Sequence, residues 1–272
     1  MICDLSRGPK RHGELMSTIE ALESSHSSMP VQGPMFNLPR TSLVIPTLNE
    51  AENIKLLLPR IPTWVHEIII VDGRSTDGTP DIARSMRDDV KIVLQPKKGK
   101  GIALRTGFEA ASGDMIVMLD ADGSMDPYEI ILFVAALVAG ADFVKGSRFM
   151  QGGGTSDMTV IRRFGNLGLT LLVRMLYGSS FSDLCYGYMG FWKRHVPLLR
   201  ADCDGFEIET LINLRALKNK LKIMEVASFE SERIYGVSNL RALPDGWRVL
   251  KTIFRERVST PTGVQVLEQG MS

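Results

Sequence analysis

From Leu43 to Lys145 the chain repeats one pattern. Short, continuous apolar runs alternate with longer segments whose apolar residues recur at helical spacing. The runs are Leu43 to Ile45, Glu67 to Asp72, Lys91 to Leu94, Met115 to Leu119 and Asp142 to Lys145. Runs of this kind predict strands buried on both faces of a parallel sheet. Pro46 is expected to stop the first. Between the runs, Ile54, Leu57, Leu58 and Ile61 share one helical face, and Pro80 opens a second helix at its first turn. Gly101 to Ala111 gives a third helix closed by Gly113, and Pro127 to Ala139 a fourth closed by Gly140. Strict alternation with short connections predicts an α/β fold with a doubly wound, mainly parallel sheet.

The second half is less regular. Helices are expected over Phe164 to Tyr177, Phe206 to Ala216 and Asp245 to Arg257, and a strand over Lys222 to Val226. Gly152-Gly153-Gly154, Asp183 to Gly190 and Ser231 to Asn239 read as loops. Two of these helices carry apolar stripes flanked by cations. Leu167, Leu171, Leu172 and Met175 lie among Arg162, Arg163 and Arg174. Trp247, Val249, Leu250, Ile253 and Phe254 lie among Arg248, Lys251, Arg255 and Arg257. Such stripes suit a helix in a membrane interface, and they equally suit a helix packed on the sheet. The expected organisation is a loosely attached or disordered segment over residues 1–40, one domain over 41–258, and a polar tail over 259–272.

The candidate chemistry gathers where strands end. Asp120-Ala121-Asp122 closes the central apolar run, at the carboxyl edge where open α/β sheets bind ligands. Hard carboxylate oxygens suit Mg²⁺ or Mn²⁺, held by one or two carboxylates together with substrate phosphates. Ser124 is placed to hold a water or a hydroxyl, and Asp126 to cap the Pro127 helix. Thr47, Asn49 and Glu50 follow the first strand, and Asp72 ends the second. Lys100 stands at a helix start among glycines, a setting that suits a phosphate. Arg148 follows the fifth strand, and Arg233 lies beside Gly236 in a polar loop.

Composition narrows the classes. The 272 residues carry a formal net charge of +1, which gives no global case for nucleic acid. Cys3, Cys185 and Cys203 are scattered without metal-binding spacing, which suits a reducing, cytoplasmic setting. No secretory signal is evident, and the longest apolar run, Ile130 to Val138, is too short to span a bilayer. The four histidines support no serine–histidine–aspartate triad.

A series of motifs in order resembles family 2 glycosyltransferases of the GT-A fold, over about Leu43 to Arg257. Val44-Ile45-Pro46-Thr47-Leu48-Asn49-Glu50 is similar to their opening strand and turn, and Val71-Asp72-Gly73-Arg74-Ser75-Thr76-Asp77-Gly78-Thr79 to their second-strand signature. Lys98-Gly99-Lys100-Gly101 resembles their third-helix entry, and Asp120-Ala121-Asp122 stands at their metal motif. Gly146-Ser147-Arg148, the Asp183 loop, Phe206-Glu207-Ile208-Glu209 and Arg233-x-x-Gly236-x-Ser238 resemble the dolichol-phosphate mannosyltransferase branch. Three features depart from that branch: Gly73-Arg74 after Asp72, Asn239 after Ser238, and no C-terminal membrane helices.

The resemblance implies a metal-dependent, inverting transfer of a sugar from a nucleotide sugar to a polyprenyl or dolichyl phosphate. GDP-mannose is the implied donor, with UDP-glucose and UDP-GlcNAc as competitors. It implies donor contacts from Pro46, Thr47, Asn49, Glu50, Asp72, Lys100, Asp120, Ala121, Asp122, Arg148, Arg233 and Ser238, with Asp120 and Asp122 on the metal. Asp120, Asp122, Asp183 and Arg233 are the expected catalytic set. Asp183 is a general base if the acceptor is a hydroxyl, and a positioner if it is an ionised phosphate. Of Glu207 and Glu209, one is expected to orient an arginine and the other to face solvent. Peripheral contact with the cytoplasmic membrane face follows from a lipid acceptor. Two alternatives remain: a soluble or peptide-borne hydroxyl or thiol acceptor, and a non-catalytic domain that binds sugar nucleotides.

Overall fold

The protein is described by a computed structural model over residues 38–236 and 241–259. Ser238, the segment expected to be loosely attached (save its last three residues) and the tail beyond Ser259 lie outside the described residues.

The first half alternates as expected: β1 (Thr41–Thr47), α1 (Ala51–Leu57), β2 (Glu67–Asp72), α2 (Thr79–Met86), β3 (Val90–Leu94), α3 (Lys100–Ala110), β4 (Met115–Met118), α4 (Ile130–Val138) and β5 (Phe143–Ser147). The second half adds β6 (Gly154–Thr155), α5 (Val160–Tyr177), β7 (Met189–Trp192), α6 (Val196–Leu199), α7 (Ile208–Lys218), β8 (Ile223–Ala227), β9 (Phe229–Glu230) and α8 (Ala242–Val258). Among the described residues a seven-stranded sheet runs in the order β3-β2-β1-β4-β7-β5-β8. Only β7 is antiparallel to its neighbours, wedged between β4 and β5. Its sequence offered little warning, because Gly190 interrupts the apolar run. The glycine allows a close approach: a Cβ there would sit 3.3 Å from the Phe133 Cβ of α4, a tight contact.

Pro46 does not stop β1, which runs on to Thr47. Carbonyls of Thr41 and Thr47 both accept hydrogen bonds on the β2 side, from His66 and Gly73. By alternation, the position of Pro46 faces the β4 side. The β4 ladder ends at Val44, so the missing N–H of Pro46 breaks no ladder bond there.

Alternate residues of each central strand feed two core layers. Leu43, Ile45, Ile68, Ile70, Met115 and Val117 pack under α1, α2 and α4. Val44, Ile69, Val71, Ile116 and Met118 pack under α3 and α7. Burial on both faces explains why these strands read as continuous apolar runs.

α5 and α8 lie against each other, with the Tyr177 hydroxyl donating to the Ile253 carbonyl at 2.6 Å. A small core of Val173, Phe181, Leu184, Leu214, Val249 and Ile253 sits beneath them. The sequence stripes split accordingly. Val249 and Ile253 are buried, whereas Leu167, Leu171, Met175, Trp247 and Phe254 are exposed. Both helices also start earlier than expected, adding Val160, Ile161 and Leu243 to the exposed apolar face.

Candidate active site

The apolar run of β4 continues one residue past the strand to Leu119, and the chain turns at Gly123, whose φ is +77°. This turn presents Asp120 and Asp122 at the carboxyl edge of the sheet. The Asp122 Oδ1 accepts the Ser124 amide at 3.0 Å, fixing the carboxylate to its own turn. Asp126 caps the following turn, accepting the Tyr128 amide at 3.1 Å.

Three further elements converge on this pair. Lys100, the first residue of α3, places its Nζ 2.8 Å from Asp120 and 2.6 Å from Glu209 of α7. The approach depends on Gly101, whose amide donates to the Asp204 carbonyl at 3.0 Å. A Cβ on Gly101 would sit 2.0 Å from the Cys203 carbonyl oxygen. From the opposite side, Arg233 pairs with Asp122 at 2.7 Å and with Glu50 at 3.4 Å. The loop bearing Arg233 is laid along the turn, with the Ile234 amide on the Asp122 carbonyl and the Tyr235 amide on Asn53 Oδ1.

The electrostatics follow from burial and these pairs. Burial pushes the Asp120 carboxyl up, against the pull of Lys100, and Glu209 and Asp122 add repulsion. Burial opposes charge on Lys100, but its two carboxylate partners outweigh it and hold the ammonium charged. Burial also raises Glu50, partly offset by Asn53 and Arg233.

Asp120, Asp122, Lys100, Arg233 and Glu50 therefore form one connected cluster. The remaining expected residues sit nearby but are engaged locally. Asn49 accepts the Thr76 amide at 2.8 Å, and Asp72 accepts the amides of Arg74 and Ser75 at 2.9 and 3.0 Å. Thr47 donates to Asp72 at 3.4 Å, and Ala121 packs in the core. Pro46 stands half-buried at the same edge.

Arg148 and Asp183 form a second centre. Arg148 donates to Asp183 through Nε at 2.7 Å and Nη2 at 2.9 Å, and to Glu230 through Nη1 at 3.0 Å. Asn166 of α5 also donates to Asp183, at 2.9 Å. Asp183 is fully buried. Burial alone would raise its carboxyl; the hydrogen bonds and charge of Arg148 outweigh that and hold it below the usual carboxylate range. A carboxylate so occupied is poorly placed to remove an acceptor proton.

Sequence reasoning paired one of the two glutamates with an arginine and left the other to solvent. In the structure Glu209 meets Lys100, and the buried Glu207 Oε2 has no hydrogen-bond partner among the described residues. Glu230 and Asn166 were missed altogether. Asn166 did leave a signal, as a polar residue on the packed face of an amphipathic helix.

A cavity of about 620 Å³ opens from the cluster. One end is lined by Lys100, Asp120, Asp122, Glu209 and Arg233, with Arg148 and Tyr186 in the wall. The other runs between α5 and α8, past Leu169, Leu172 and Leu250, to a rim of Ile161, Phe164, Leu243 and Trp247.

Comparison with known proteins gives the family. Residues 42–196 match the Glycosyl transferase family 2 profile. The chain belongs to glycosyltransferase family 2. This glycosyltransferase is 31% identical over 215 residues to the polyprenol monophosphomannose synthase of Mycolicibacterium smegmatis, covering 74% of this chain and 81% of that protein. It is 30% identical over 224 residues to the dolichol-phosphate mannosyltransferase of Pyrococcus furiosus, covering 79% of this chain and 61% of that protein. Its fold is GT-A. A glucosyl-3-phosphoglycerate synthase from Mycobacterium tuberculosis, solved with Mn²⁺, UDP and phosphoglyceric acid, superposes with a TM-score of 0.66 at 21% identity, covering 81% of this chain and 79% of that one.

The donor set fits a divalent ion that arrives with phosphates. Asp120 and Asp122 offer hard oxygens at one turn, in a pocket that already draws two cations. Among the described residues no group of three or more His, Cys, Asp or Glu side chains is arranged to hold a metal alone. Two carboxylates completed by substrate phosphates is the usual arrangement for Mg²⁺.

Proposed function

We propose that this glycosyltransferase moves a sugar, with inversion, from a nucleotide sugar to a polyprenyl phosphate. The observation that carries the acceptor is the cavity, which joins the carboxylate cluster to an apolar passage between α5 and α8. Asp120 and Asp122 would hold Mg²⁺ or Mn²⁺, and the ion would neutralise the departing diphosphate. Asn49, Glu50 and Asp72, at the ends of the first two strands, would contact the ribose and base. GDP-mannose is the proposed donor, because relatives are named as mannose transferases.

The engaged state of Asp183 supports an acceptor that needs no base. A phosphate monoester is already ionised at neutral pH. Its oxygen attacks the anomeric carbon, the bond from that carbon to the diphosphate breaks, and no proton is removed.

A donor and acceptor panel tests the reading. GDP-mannose, UDP-glucose and UDP-GlcNAc are each offered with Mn²⁺ or Mg²⁺, with and without a short polyprenyl phosphate. We expect GDP-mannose turnover to rise with the lipid and a mannosyl lipid to form. Transfer only to a soluble hydroxyl or thiol would reassign the acceptor; nucleotide binding without turnover would favour a binding domain.

A lipid acceptor also calls for peripheral membrane contact, which we propose at the cytoplasmic face. Among the described residues no helix is long and apolar enough to cross a membrane. α5 and α8 instead expose Met175 and, at the cavity rim, Phe164 and Leu243, at 69, 68 and 82%. Arg163, Arg174, Arg248 and Lys251 lie exposed beside them. Apolar stripes bordered by cations suit an anionic interface. The protein is expected to co-sediment with anionic liposomes, less so as salt rises. Leu171→Ser combined with Phe254→Ser should lower transfer to lipid and spare donor hydrolysis. No liposome binding at low salt would remove the membrane from the reading.

A further inference from the structure

Each carboxylate of the β4 turn is already held by an internal cation, and the two cations are anchored differently. Lys100 is fixed from three directions. It starts α3, bridges Asp120 and Glu209, and stands 5.7 Å over the Phe206 ring. Arg233 comes from a loop and reaches inward. Its guanidinium is shared between Asp122 and Glu50, and its loop is tied down through Ile234 on Asp122 and Tyr235 on Asn53. The residue best placed to let go is therefore the one on Asp122.

We propose that Arg233 is a placeholder for the divalent ion. It pairs with Asp122 and Glu50 in the free protein and yields Asp122 when an ion arrives together with a nucleoside diphosphate, whose phosphates then take the guanidinium. Lys100 keeps its place on Asp120 and Glu209. The inference rests on the metal reading given above and adds a rule for the order of binding.

The physical reason is an unequal exchange. An ion arriving alone must evict a 2.7 Å ion pair, and the protein offers it few ligands in return. A diphosphate changes both sides of the exchange. It supplies oxygens to the ion and oxygen pairs that the planar guanidinium of the freed arginine can bind bidentately. Ion and nucleotide therefore bind cooperatively, and linkage makes the coupling reciprocal.

The test is direct measurement of Mn²⁺ binding by electron paramagnetic resonance or calorimetry, with and without GDP or UDP, so the sugar and acceptor do not enter. Arg233→Met is expected to bind Mn²⁺ alone about tenfold more tightly than the wild type, and to lose most of the enhancement by nucleotide, an effect within the usual range of coupling energies. Arg60→Met controls for mean charge. It removes a cation at the same edge, paired to Asp126 at 3.0 Å, and should change Mn²⁺ affinity less than about twofold, since exposed charges are screened. Arg233→Gln serves if the methionine variant melts early. Equal Mn²⁺ affinity in wild type and both Arg233 variants, or equal shifts in the Arg233 and Arg60 variants, would overturn the placeholder and leave the metal reading standing. No Mn²⁺ binding by any form, even with GDP and UDP, would overturn both.

Discussion

Asp122→Ala is expected to lower sugar transfer by roughly three powers of ten while the fold persists. Asp122 sits on a turn, and its side chain carries no core packing. Its contacts are the Ser124 amide and the Arg233 guanidinium. Removing it leaves Arg233 with Glu50, so no buried cation is stranded. Loss of activity with an unchanged melting temperature therefore isolates a chemical role. Asp122→Asn is the stricter variant, because it keeps the shape and removes the charge. It should be nearly as inactive, since a neutral amide oxygen is a poor ligand for a hard divalent ion. Excess chelator should reproduce the loss in the wild type, and added Mn²⁺ should reverse it. Full activity of Asp122→Ala, or of the wild type in chelator, would remove the ion from the mechanism.

What the sequence showed and what it hid follow one physical line. Strands buried on both faces announce themselves, because every residue from Ile68 to Val71 must be apolar. Asp120 and Asp122 were legible for the same reason: two carboxylates directly after such a run can only lie at the sheet edge. Pairings were not legible. That Lys100 meets Glu209, or that Arg148 meets Glu230, depends on how α7 and β9 return to the sheet, and local pattern carries no such information. β7 was hidden because its one small residue, Gly190, answers to the packing of α4 and not to strand propensity. The stripes of α5 and α8 were visible, but an apolar stripe does not say what covers it. Their exposure appears only once the underlying core is seen to be filled by Val173, Val249 and Ile253.

Arg148→Met is expected to have the largest effect on stability. Arg148 and Asp183 are both buried, and the arginine also stacks 4.7 Å over the Tyr186 ring. Removing the arginine side chain leaves a buried carboxylate with the Asn166 amide and the Arg148 backbone N–H as donors and the buried Lys145 as the nearby cation that acts on it. Breaking one side of such a pair costs about 3–5 kcal/mol. For a domain of this size, that is a drop of roughly 6–20 °C in melting temperature. A companion variant, Asp183→Asn, tests the acid side. The folded carboxyl lies below its ordinary value, so its contribution is complete above about pH 4, where the unfolded group ionises, and fades as pH falls through the folded value. Asp183→Asn should therefore be less stable than the wild type at neutral pH and lose that deficit as the solution is acidified. The pair also decides the role of Asp183. A general base would make Asp183→Asn fold normally and fail in turnover, with a pH–rate profile that loses its acidic limb. A buried anchor makes it melt early and, at a temperature where it stays folded, turn over at a rate near that of the wild type. A stable but inactive Asp183→Asn would return Asp183 to the chemistry and make a hydroxyl acceptor the better reading.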